Sequence, residues 1–291
     1  MANYLDQPLF GSATAPQSLG RYSLRHAVGS GASSTVYAGR VPEEGIEVAV
    51  ALFVTLRSRG AEARNQILTE AERWRGLAHP NVARILDVGT FVDPTDRSGR
   101  RSGVFIVRPL LPGIDLQRWL ETLPANAEAS VMQQVVDIFC AVGRGLAAAH
   151  AAGLVHRDFR PASVIVGYDG RPQLVDFASN DAVPLAPSAS DEVLRHPAPE
   201  LRTGAPADAR SDQYSFCASL WDALARRVSR PNRRVREALA RGMAENPEHR
   251  WPSMDELLRA LDRSNSGLLR VLTAAFSSKP APARAAKRLV S

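Results

Sequence analysis

The sequence predicts a two-lobed α+β fold, with a small antiparallel β lobe that contains one helix and a larger, mainly helical lobe. The first observation is a change of hydrophobic period: short strand-like segments with glycine turns dominate up to residue 111, and helical patterns dominate from residue 112. The second is the length of 291 residues, which allows a large core in one two-lobed domain or in two small ones.

The ends of the chain are expected to lie outside these lobes. Residues 1–19 are rich in small and turn-forming residues without periodicity, which indicates a flexible leader. The lobes then occupy residues 20–111 and 112–263. Residues 264–291 end in a basic stretch without acids, which indicates a disordered tail, and the alternative is a tail that contacts an acidic partner or an anionic surface.

The composition indicates the compartment of the protein, the state of its cysteines and whether it binds nucleic acid. No apolar run is long enough to span a membrane and the N-terminus lacks a secretion signal, so we expect a cytoplasmic protein without a transmembrane segment. Cys140 and Cys217 lie in apolar helical patterns, which favours buried thiols over a disulfide. The net charge is +6, but acids and bases are interspersed across most of the chain, so nucleic-acid binding is not expected.

Lysine is confined to the C-terminal tail. The chain contains Lys279 and Lys287 and no other lysine, so every other cation is arginine or histidine. The folded lobes therefore have no lysine available for chemistry.

The β lobe begins with two strands around a glycine turn. Residues 22–28 and 35–38 have strand patterns, and Gly29 and Gly31 lie in the turn between them. Such a turn alone is typical of an ordinary hairpin. The next strand covers residues 47–53.

One helix and two strands complete the predicted β lobe. Ile67, Ala71, Trp74 and Leu77 follow helical spacing. Further strands are expected at residues 83–88 and 104–111, around a polar arginine-rich loop at 93–103.

The helical lobe is predicted around one long helix. Apolar residues mark one face of this helix, which ends near His150; they are Val131, Val135, Ile138, Phe139, Val142 and Leu146. A strand, an Asp169-Gly170 turn and a second strand follow. This hairpin places Asp158 and Asp176 at neighbouring loop ends, where they can serve as a base and a metal ligand.

Several motifs in this order resemble the protein kinase family, of the bacterial serine/threonine type, over roughly residues 20–263. His156-Arg157-Asp158 resembles the His-Arg-Asp of the catalytic loop, and Asp176 begins a stretch that resembles the Asp-Phe-Gly of the metal loop. The strand around Ala51 is similar to the Val-Ala-Val-Lys strand.

The resemblance implies catalytic and metal-binding roles. Asp158 would accept the proton of the substrate hydroxyl, and Arg160 would contact the γ-phosphate. Asp176 would bind Mg²⁺, with Ser163 standing where the family has a metal-binding asparagine.

The resemblance also implies an ATP site. Backbone amides near Gly29 and Gly31 would approach the phosphates. The adenine would be bound by Val36, Ala49, Ile165 and the amide of Leu111.

Several residues depart from the family pattern. Ala51 stands in place of the lysine that holds the phosphates, Val193 in place of the substrate-contacting threonine, and Ala178 in place of the glycine of the metal loop. Ser34 stands at the third glycine of the phosphate loop. The motifs that the resemblance links to phosphotransfer therefore lack several of the family's residues.

Arg108 is a candidate replacement for the missing lysine. The resemblance places it at the interlobe hinge, behind the adenine, where a buried arginine needs an acidic partner such as Asp176 or Glu70, the glutamate that the family pairs with its lysine. The alternative is a register shifted by one residue, in which Arg108 is exposed. Glu70 is expected either in solvent or paired with another cation.

Motifs that support the fold are retained. Glu200 has its expected cation in Arg250, Asp212 matches a buried aspartate that holds the catalytic loop, and Ser253 and Glu256 form a capping box. The segment 225–234 is too short for the helix that docks substrates in this family, and its arginines are either solvated or bound to an acidic partner.

The losses indicate a pseudokinase, which is a serine/threonine kinase-like regulatory or scaffolding module that can bind ATP without turnover. One alternative is a weakly active kinase that transfers the γ-phosphate of ATP to a protein, with Arg108 replacing the lysine. A second is an interaction domain that binds no nucleotide. A protein partner or substrate is expected in each case.

Overall fold

A computed structural model gives the architecture of the chain. It describes residues 18–30, 34–56, 60–92, 101–124, 129–176, 196–226 and 232–265. These residues form a β lobe followed by a helical lobe, as the sequence predicts.

The β lobe is built on one curved antiparallel sheet with the strand order β1-β2-β3-β4-β6-β5 among the described residues. The strands are β1 Ser18–Leu19, β2 Tyr22–Ser30, β3 Thr35–Val41, β4 Ile46–Leu56, β5 Asp87–Val92 and β6 Arg101–Pro109. One helix, α1 (Gly60–Arg75), follows β4 and buries Ile67, Ala71 and Trp74 against the sheet and the second lobe.

The two faces of this sheet have different roles. The outer face carries its own apolar cluster, which includes Tyr22, Tyr37 and Val50. The Tyr22 hydroxyl donates to Oδ2 of Asp87 at 2.5 Å and so joins β2 to the distant strand β5. The inner face contributes residues such as Phe53 and Ile106 to the main core, which continues into the helical lobe.

The helical lobe surrounds a central buried helix. Its described helices are α2 Leu116–Thr122, α3 Ala129–Ala151, α4 Pro199–Arg202, α5 Ala209–Ala225, α6 Arg233–Gly242 and α7 Met254–Asn265. A three-stranded ribbon lies beside them, formed by β7 Gly113–Asp115, β8 Val164–Gly167 and β9 Pro172–Leu174. Helix α3 packs on α5 and α7 through residues such as Phe139 and Gly143.

Helix α3 is the one described helix that is long and apolar enough to cross a membrane. More than half of its apolar window, 56%, is buried inside the fold. Because the core helix of a globular domain has the same properties, this finding is weak evidence for a membrane span.

Backbone hydrogen bonds join the two lobes beside the three-stranded ribbon. The amide of Ala83 donates to the Leu174 carbonyl at 2.9 Å, and the amide of Leu174 donates to the Asn81 carbonyl at 2.8 Å. The Asn81 side chain also donates to the Pro172 carbonyl. The segment after α1 is therefore attached directly to β9 of the helical lobe.

A buried ion pair stabilises the helical lobe, as expected. Nη1 and Nη2 of Arg250 each lie 2.7 Å from a different carboxylate oxygen of Glu200. Arg250 is 1% exposed and also donates to the carbonyls of Ala244, Arg210 and Glu245. These bonds satisfy a cation that would otherwise be costly to bury.

Other structural predictions have clear outcomes. Cys140 and Cys217 are both free and buried. The Ser253 hydroxyl accepts from the Glu256 amide at 3.3 Å, which is one half of the expected capping box. Helix α6 begins at Arg233, so residues 226–232 separate it from α5.

Several boundaries differ from the sequence predictions. Strand β6 covers Arg101–Pro109, whereas the sequence predicts a strand at 104–111 after a loop at 93–103. Ser18–Leu19 pairs with β2 although it was assigned to the leader 1–19, and α7 ends at Asn265 rather than at residue 263. The strand expected at 83–88 begins at Asp87, because residues 81–83 pair with the other lobe. The short strand β7 was not predicted; two or three residues are too few to show a period.

Candidate functional site

The His-Arg-Asp loop is held in place by one buried aspartate. Asp212 is 1% exposed, and its two carboxylate oxygens accept the backbone amides of His156 and Arg157 at 2.7 Å each. Nε2 of His150 lies 2.8 Å from the same carboxylate. These contacts fix the loop just before Asp158, as the resemblance implied for Asp212.

The ribbon β8–β9 brings the two predicted acids to the same end. Val164 pairs with Leu174, so Asp158, which precedes β8, and Asp176, which follows β9, lie at the same end of the ribbon. A His156 ring nitrogen lies 3.1 Å from the Val175 carbonyl oxygen and links the two loops. The sequence predicted this arrangement from the strand-turn-strand pattern.

Two residues of these loops adopt left-handed backbone conformations. Arg157 has φ +71° and Asp176 has φ +61°, and they are the non-glycine residues with positive φ in the part of the chain that the structure describes. This region is unfavourable for residues other than glycine and is concentrated at functional sites. Both outliers lie in the motifs predicted to carry the chemistry.

Asp158 and Arg160 are close enough to interact. Nε of Arg160 lies 3.6 Å from Oδ2 of Asp158, and both side chains are mostly buried. The cation predicted to contact a γ-phosphate therefore lies beside the predicted base.

Ser163 does not present its hydroxyl to a metal. Its Oγ donates to the Arg160 carbonyl at 2.7 Å and accepts from the Arg160 amide at 3.1 Å, and the residue is 1% exposed. The hydroxyl would have to leave both bonds to bind Mg²⁺, so the metal role of Ser163 stays a prediction that the geometry does not support.

The exposed carboxylate of Asp176 is the remaining predicted metal ligand. The described residues contain no group of three histidine, cysteine, aspartate or glutamate side chains that could hold a metal ion. One carboxylate without a second protein ligand is a poor fit for a resident Mg²⁺, although Mg²⁺ carried by ATP phosphates needs fewer protein ligands.

Glu70 pairs with arginines outside the β sheet. Its carboxylate lies 3.1 Å from Arg73 of the same helix and 3.5 Å from Nη1 of Arg157. The sequence predicted another cation or solvent for Glu70, and Arg157 was not considered. Arg157 is adjacent to Asp158 in the His-Arg-Asp motif, and this position is the sequence signal that could have identified it as a partner of Glu70.

Strand pairing places Arg108 in the cleft between the lobes. Across β3, β4 and β6, Val36, Ala51 and Ile106 form one row, and Ala38, Ala49 and Arg108 form the next. Directly paired residues share a face of a sheet, so Arg108 lies on the face of Ala49 and Ala51. The alternative register, shifted by one residue, is therefore wrong.

Asp176 of the metal loop is the acid that acts electrostatically on Arg108. Burial lowers the pKa of the Arg108 guanidinium, and the nearby Asp176 carboxylate partly opposes this shift. Of the two acids proposed as partners for Arg108, the structure favours Asp176, since Glu70 is paired with Arg73 and Arg157.

The other predicted nucleotide contacts lie around this cleft. Val36 and Ala49 are buried on the inner face of the sheet, and Leu111 and Ile165 are half-buried. Val164 and Val166 are buried in the core, so Ile165 faces the opposite side of the ribbon. Gly29 lies near the end of β2.

Some predicted residues lie outside the described part of the chain. They are Gly31, Phe177, Ala178, the remaining activation segment including Val193, and the tail from residue 266. Their expected roles stay predictions.

The chain matches a family model described as "Protein kinase domain" over residues 22–283. It is 31% identical over 209 residues to a probable serine/threonine-protein kinase of Corynebacterium efficiens, covering 69% of this chain and 30% of the relative. It is 29% identical over 201 residues to the serine/threonine-protein kinase PknA of Mycobacterium tuberculosis, covering 68% of this chain and 45% of that protein. The chain thus spans less than half the length of these relatives.

Solved structures of the Mycobacterium tuberculosis PknI kinase domain have a similar fold. One has a TM-score of 0.66 and 27% identity, and covers 85% of this chain and 97% of the solved chain. A double mutant of the same domain has a TM-score of 0.68 and 26% identity, and covers 87% and 99%.

Proposed function

Because this chain belongs to the protein kinase domain family, we propose that it is a pseudokinase of the bacterial serine/threonine type, a regulatory or scaffolding module that can bind ATP. The observation that carries the proposal is the inner face of the sheet. Ala51 leaves no cation where the family has its lysine, and Arg108 lies one row away, where the Asp176 carboxylate acts on its charge.

Three expected contributions to phosphotransfer are missing. They are a strand lysine at Ala51, an asparagine at Ser163 and a threonine at Val193. A hydrogen bond to a charged group contributes about 1.5–3 kcal/mol, and about 1.4 kcal/mol changes a rate tenfold. Their combined loss lowers turnover by several orders of magnitude, although such contributions need not add.

Nucleotide binding is supported separately from turnover. Val36 and Ala49 line one side of the cleft and Ile165 would face it from the ribbon, which suits a flat apolar base. Pro109 and Leu111 leave backbone groups at the hinge. These features together support ATP binding with little or no turnover.

A weakly active kinase is the second candidate. Asp158 and Arg160 lie together at the catalytic loop, and Asp176 lies at the same end of the ribbon. With Arg108 taking the electrostatic role of the lysine, these residues are the parts that phosphotransfer to a protein requires. A third candidate is a domain that binds no nucleotide because Arg108 fills the adenine site.

A protein partner and a cytoplasmic location are parts of the proposal. We expect a protein partner because the chain lacks several residues that phosphotransfer requires but keeps the residues that support the fold. Two buried cysteines without a disulfide are typical of a reducing compartment. The proposal also includes contact of the basic tail with an acidic partner.

The test is thermal unfolding with and without millimolar ATP, in the presence and absence of Mg²⁺. Ligand at about a hundred times its Kd stabilises by about 2.7 kcal/mol, which raises Tm by several degrees. A rise without Mg²⁺ is expected, together with no measurable transfer of labelled γ-phosphate.

The alternatives give other results. A rise that requires Mg²⁺, with transfer abolished by Asp158→Ala, would establish the active kinase. No rise in the wild type, with a rise in Arg108→Met, would establish the blocked site. Arg171→Met is the control, because Arg171 is exposed on the turn of the ribbon.

A further inference from the structure

The exposed side of helix α6 carries a cluster of arginines. The helix buries Val235, Ala238, Leu239 and Gly242 against the rest of the lobe. The side chains on its other side are exposed and together form the arginine face. They are Arg233, Arg234, Arg236, Glu237, Ala240 and Arg241.

The arginine face has more positive than negative charge. Nε of Arg233 lies 2.7 Å from Oε1 of Glu237, so one arginine is balanced. The hydrogen bond from Arg233 lowers the pKa of Glu237 below its ordinary value of 4.5, and the charges of the neighbouring arginines act in the same direction. Arg234, Arg236 and Arg241 form no ion pair with another residue in the described ranges. Their positive charges therefore remain available to a partner.

Arg234 and Arg236 are not explained by the stability of α6. They lie within the first turn of the helix, where the helix dipole makes cations unfavourable. The first turn of α7 has the opposite arrangement, with Asp255 and Glu256. Like charges three residues apart, such as Arg233 and Arg236, also repel each other. An anionic partner would relieve this repulsion.

Arg241 is held in place by an aromatic ring. Its guanidinium carbon lies 4.1 Å from the centroid of the Trp251 ring. That ring is fixed in turn, because Nε1 of Trp251 donates to the Ala238 carbonyl at 3.0 Å. Nε of Arg241 donates to the His249 carbonyl at 3.4 Å, and a stacked guanidinium keeps its remaining N–H groups at the edge for an acceptor. Less side-chain entropy is then lost when Arg241 binds a carboxylate.

A short acidic segment of a polypeptide matches this surface. Arg234 and Arg241 are seven residues apart, so they lie on the same side of the helix and about 10 Å apart along its axis. About three or four residues of an extended peptide cover that distance. A guanidinium has a planar fork of N–H groups that pairs with a carboxylate at two points.

Other anionic or self-associating partners fit less well. A helix that binds a membrane surface inserts large apolar side chains, and the apolar residue on this face is Ala240. A nucleic acid presents a long, uniform series of charges, whereas Glu237 interrupts the arginines and Glu245 follows them. A second copy of the chain has the same net charge of +6 and would be repelled.

We propose that the arginine face of α6 binds an acidic segment of a partner polypeptide, with Arg241 as the anchor and Arg234 and Arg236 as further partners of its carboxylates. The inference rests on the proposed function as a binding module, since it identifies the chemistry of the partner. It assigns this contact to the helical lobe rather than to the basic tail.

The test uses fluorescence anisotropy of the full chain with a labelled decapeptide of glycine and serine that contains four glutamates. The matched peptide has glutamine at the same positions, which removes the charge and keeps nearly the same shape. We expect the wild type to bind the glutamate peptide about tenfold more tightly, because several exposed ion pairs each contribute a small amount. Added salt should reduce this preference.

Paired variants locate the binding. Arg234→Gln combined with Arg236→Gln should weaken the glutamate peptide about fivefold. Arg75→Gln combined with Arg171→Gln removes the same charge from two exposed arginines outside α6 and should bind as the wild type does. Circular dichroism checks that each variant is folded.

Arg241→Lys separates a specific contact from general charge attraction. Lysine keeps the positive charge but lacks the planar fork that stacks on Trp251, so the glutamate peptide should bind about threefold more weakly. Wild-type affinity in this variant would contradict the role of Arg241 as the anchor.

Two results with the peptides would overturn the inference. The first is equal binding of the glutamate and glutamine peptides by the wild type. The second is equal weakening by the α6 pair of substitutions and by the control pair, which would reduce the effect to net charge.

Two further results would assign the charge to another role. A full chain with Lys279, Arg284, Lys287 and Arg288 changed to glutamine should keep the preference, and its loss would assign the peptide to the tail. Tighter binding of single-stranded DNA or of phosphatidylserine vesicles through the same arginines would replace the acidic polypeptide by that partner. None of these results depends on the Tm response to ATP, so a failure of this inference is distinct from a failure of the proposed function.

Discussion

Arg108 lies directly opposite Ala49 in the pairing of β4 with β6, on the face that carries Ala51. The Asp176 carboxylate partly opposes the lowering of the Arg108 pKa by burial. Arg108 thus places a cation on the strand next to β4, one row from the position where the family has its lysine. A lysine restored at residue 51 would meet a second cation nearby.

The first prediction concerns these two positions. Ala51→Lys alone should bind ATP no better than the wild type, because two cations on adjacent rows repel each other in a partly buried site. Ala51→Lys with Arg108→Met should bind more tightly, by about tenfold for one charged hydrogen bond to phosphate. Titration of a fluorescent ATP analogue measures both, and equal affinities of the single and double variants would contradict the idea.

The second prediction concerns the anchor of the catalytic loop. Asp212→Asn replaces the charged acceptor of two backbone amides, so the free energy of unfolding should fall by about 2–4 kcal/mol. Urea unfolding measures the change. Asp255→Asn, an exposed position in the first turn of α7, is the control and should cost much less.

The third prediction follows from the pKa of Glu200. Burial alone would raise it, but hydrogen bonds from Arg250, from the Glu200 backbone and from Ser211 outweigh burial and hold it below its ordinary value of 4.5. A lowered folded pKa gives stability that is present above the unfolded pKa and is lost as the pH falls through the folded value. Wild-type stability should therefore decline below about pH 4.5.

Glu200→Gln isolates this contribution. At pH 7 the variant should lose about 3–5 kcal/mol, because it leaves the buried Arg250 cation without its anion. The difference from the wild type should narrow as the pH falls below 4.5. Urea titrations from pH 7 to pH 3 test this, and a difference that does not vary with pH would count against the ion pair.

The fourth prediction concerns the two thiols. Burial raises the pKa of Cys140 to about 12 and that of Cys217 further in the same direction. Because the thiolate is the reactive form, neither should react with a thiol reagent in the native protein at pH 8, and both should react after unfolding. Rapid labelling of the native chain would show that the lobe opens locally.

Most of the fold could be predicted from the sequence. The long helix ending near His150 and the hairpin around Asp169 have strong periodic or turn signals, and Glu200, Arg250 and Asp212 lie in motifs with fixed spacing. Strand β1 has only two residues and so shows no period. Strand β7 could not be predicted, because its partner β8 lies far along the chain. The start of β5 was missed for the same reason.

The site was predicted less completely, for a physical reason. Sequence order places Asp158 and Asp176 at one end of a hairpin, but it does not say which cation a carboxylate meets. The contact of Glu70 with Arg157 and the engagement of Ser163 with Arg160 depend on side-chain conformations and on how α1 packs.

The ribbon of the helical lobe connects to the β lobe near both ends of β8. The chain crosses between the lobes at residues 109–113, and Gly113 pairs with Gly167 at one end of β8. Ala83 is attached through Leu174, which pairs with Val164 at the other end. These attachments are three residues apart along β8, or about 10 Å. Glu70 and Arg73 of α1 add contacts to Arg157 and to the Gly153 carbonyl. A movement that separates Ala83 from β9 must break the Ala83–Leu174 hydrogen bond.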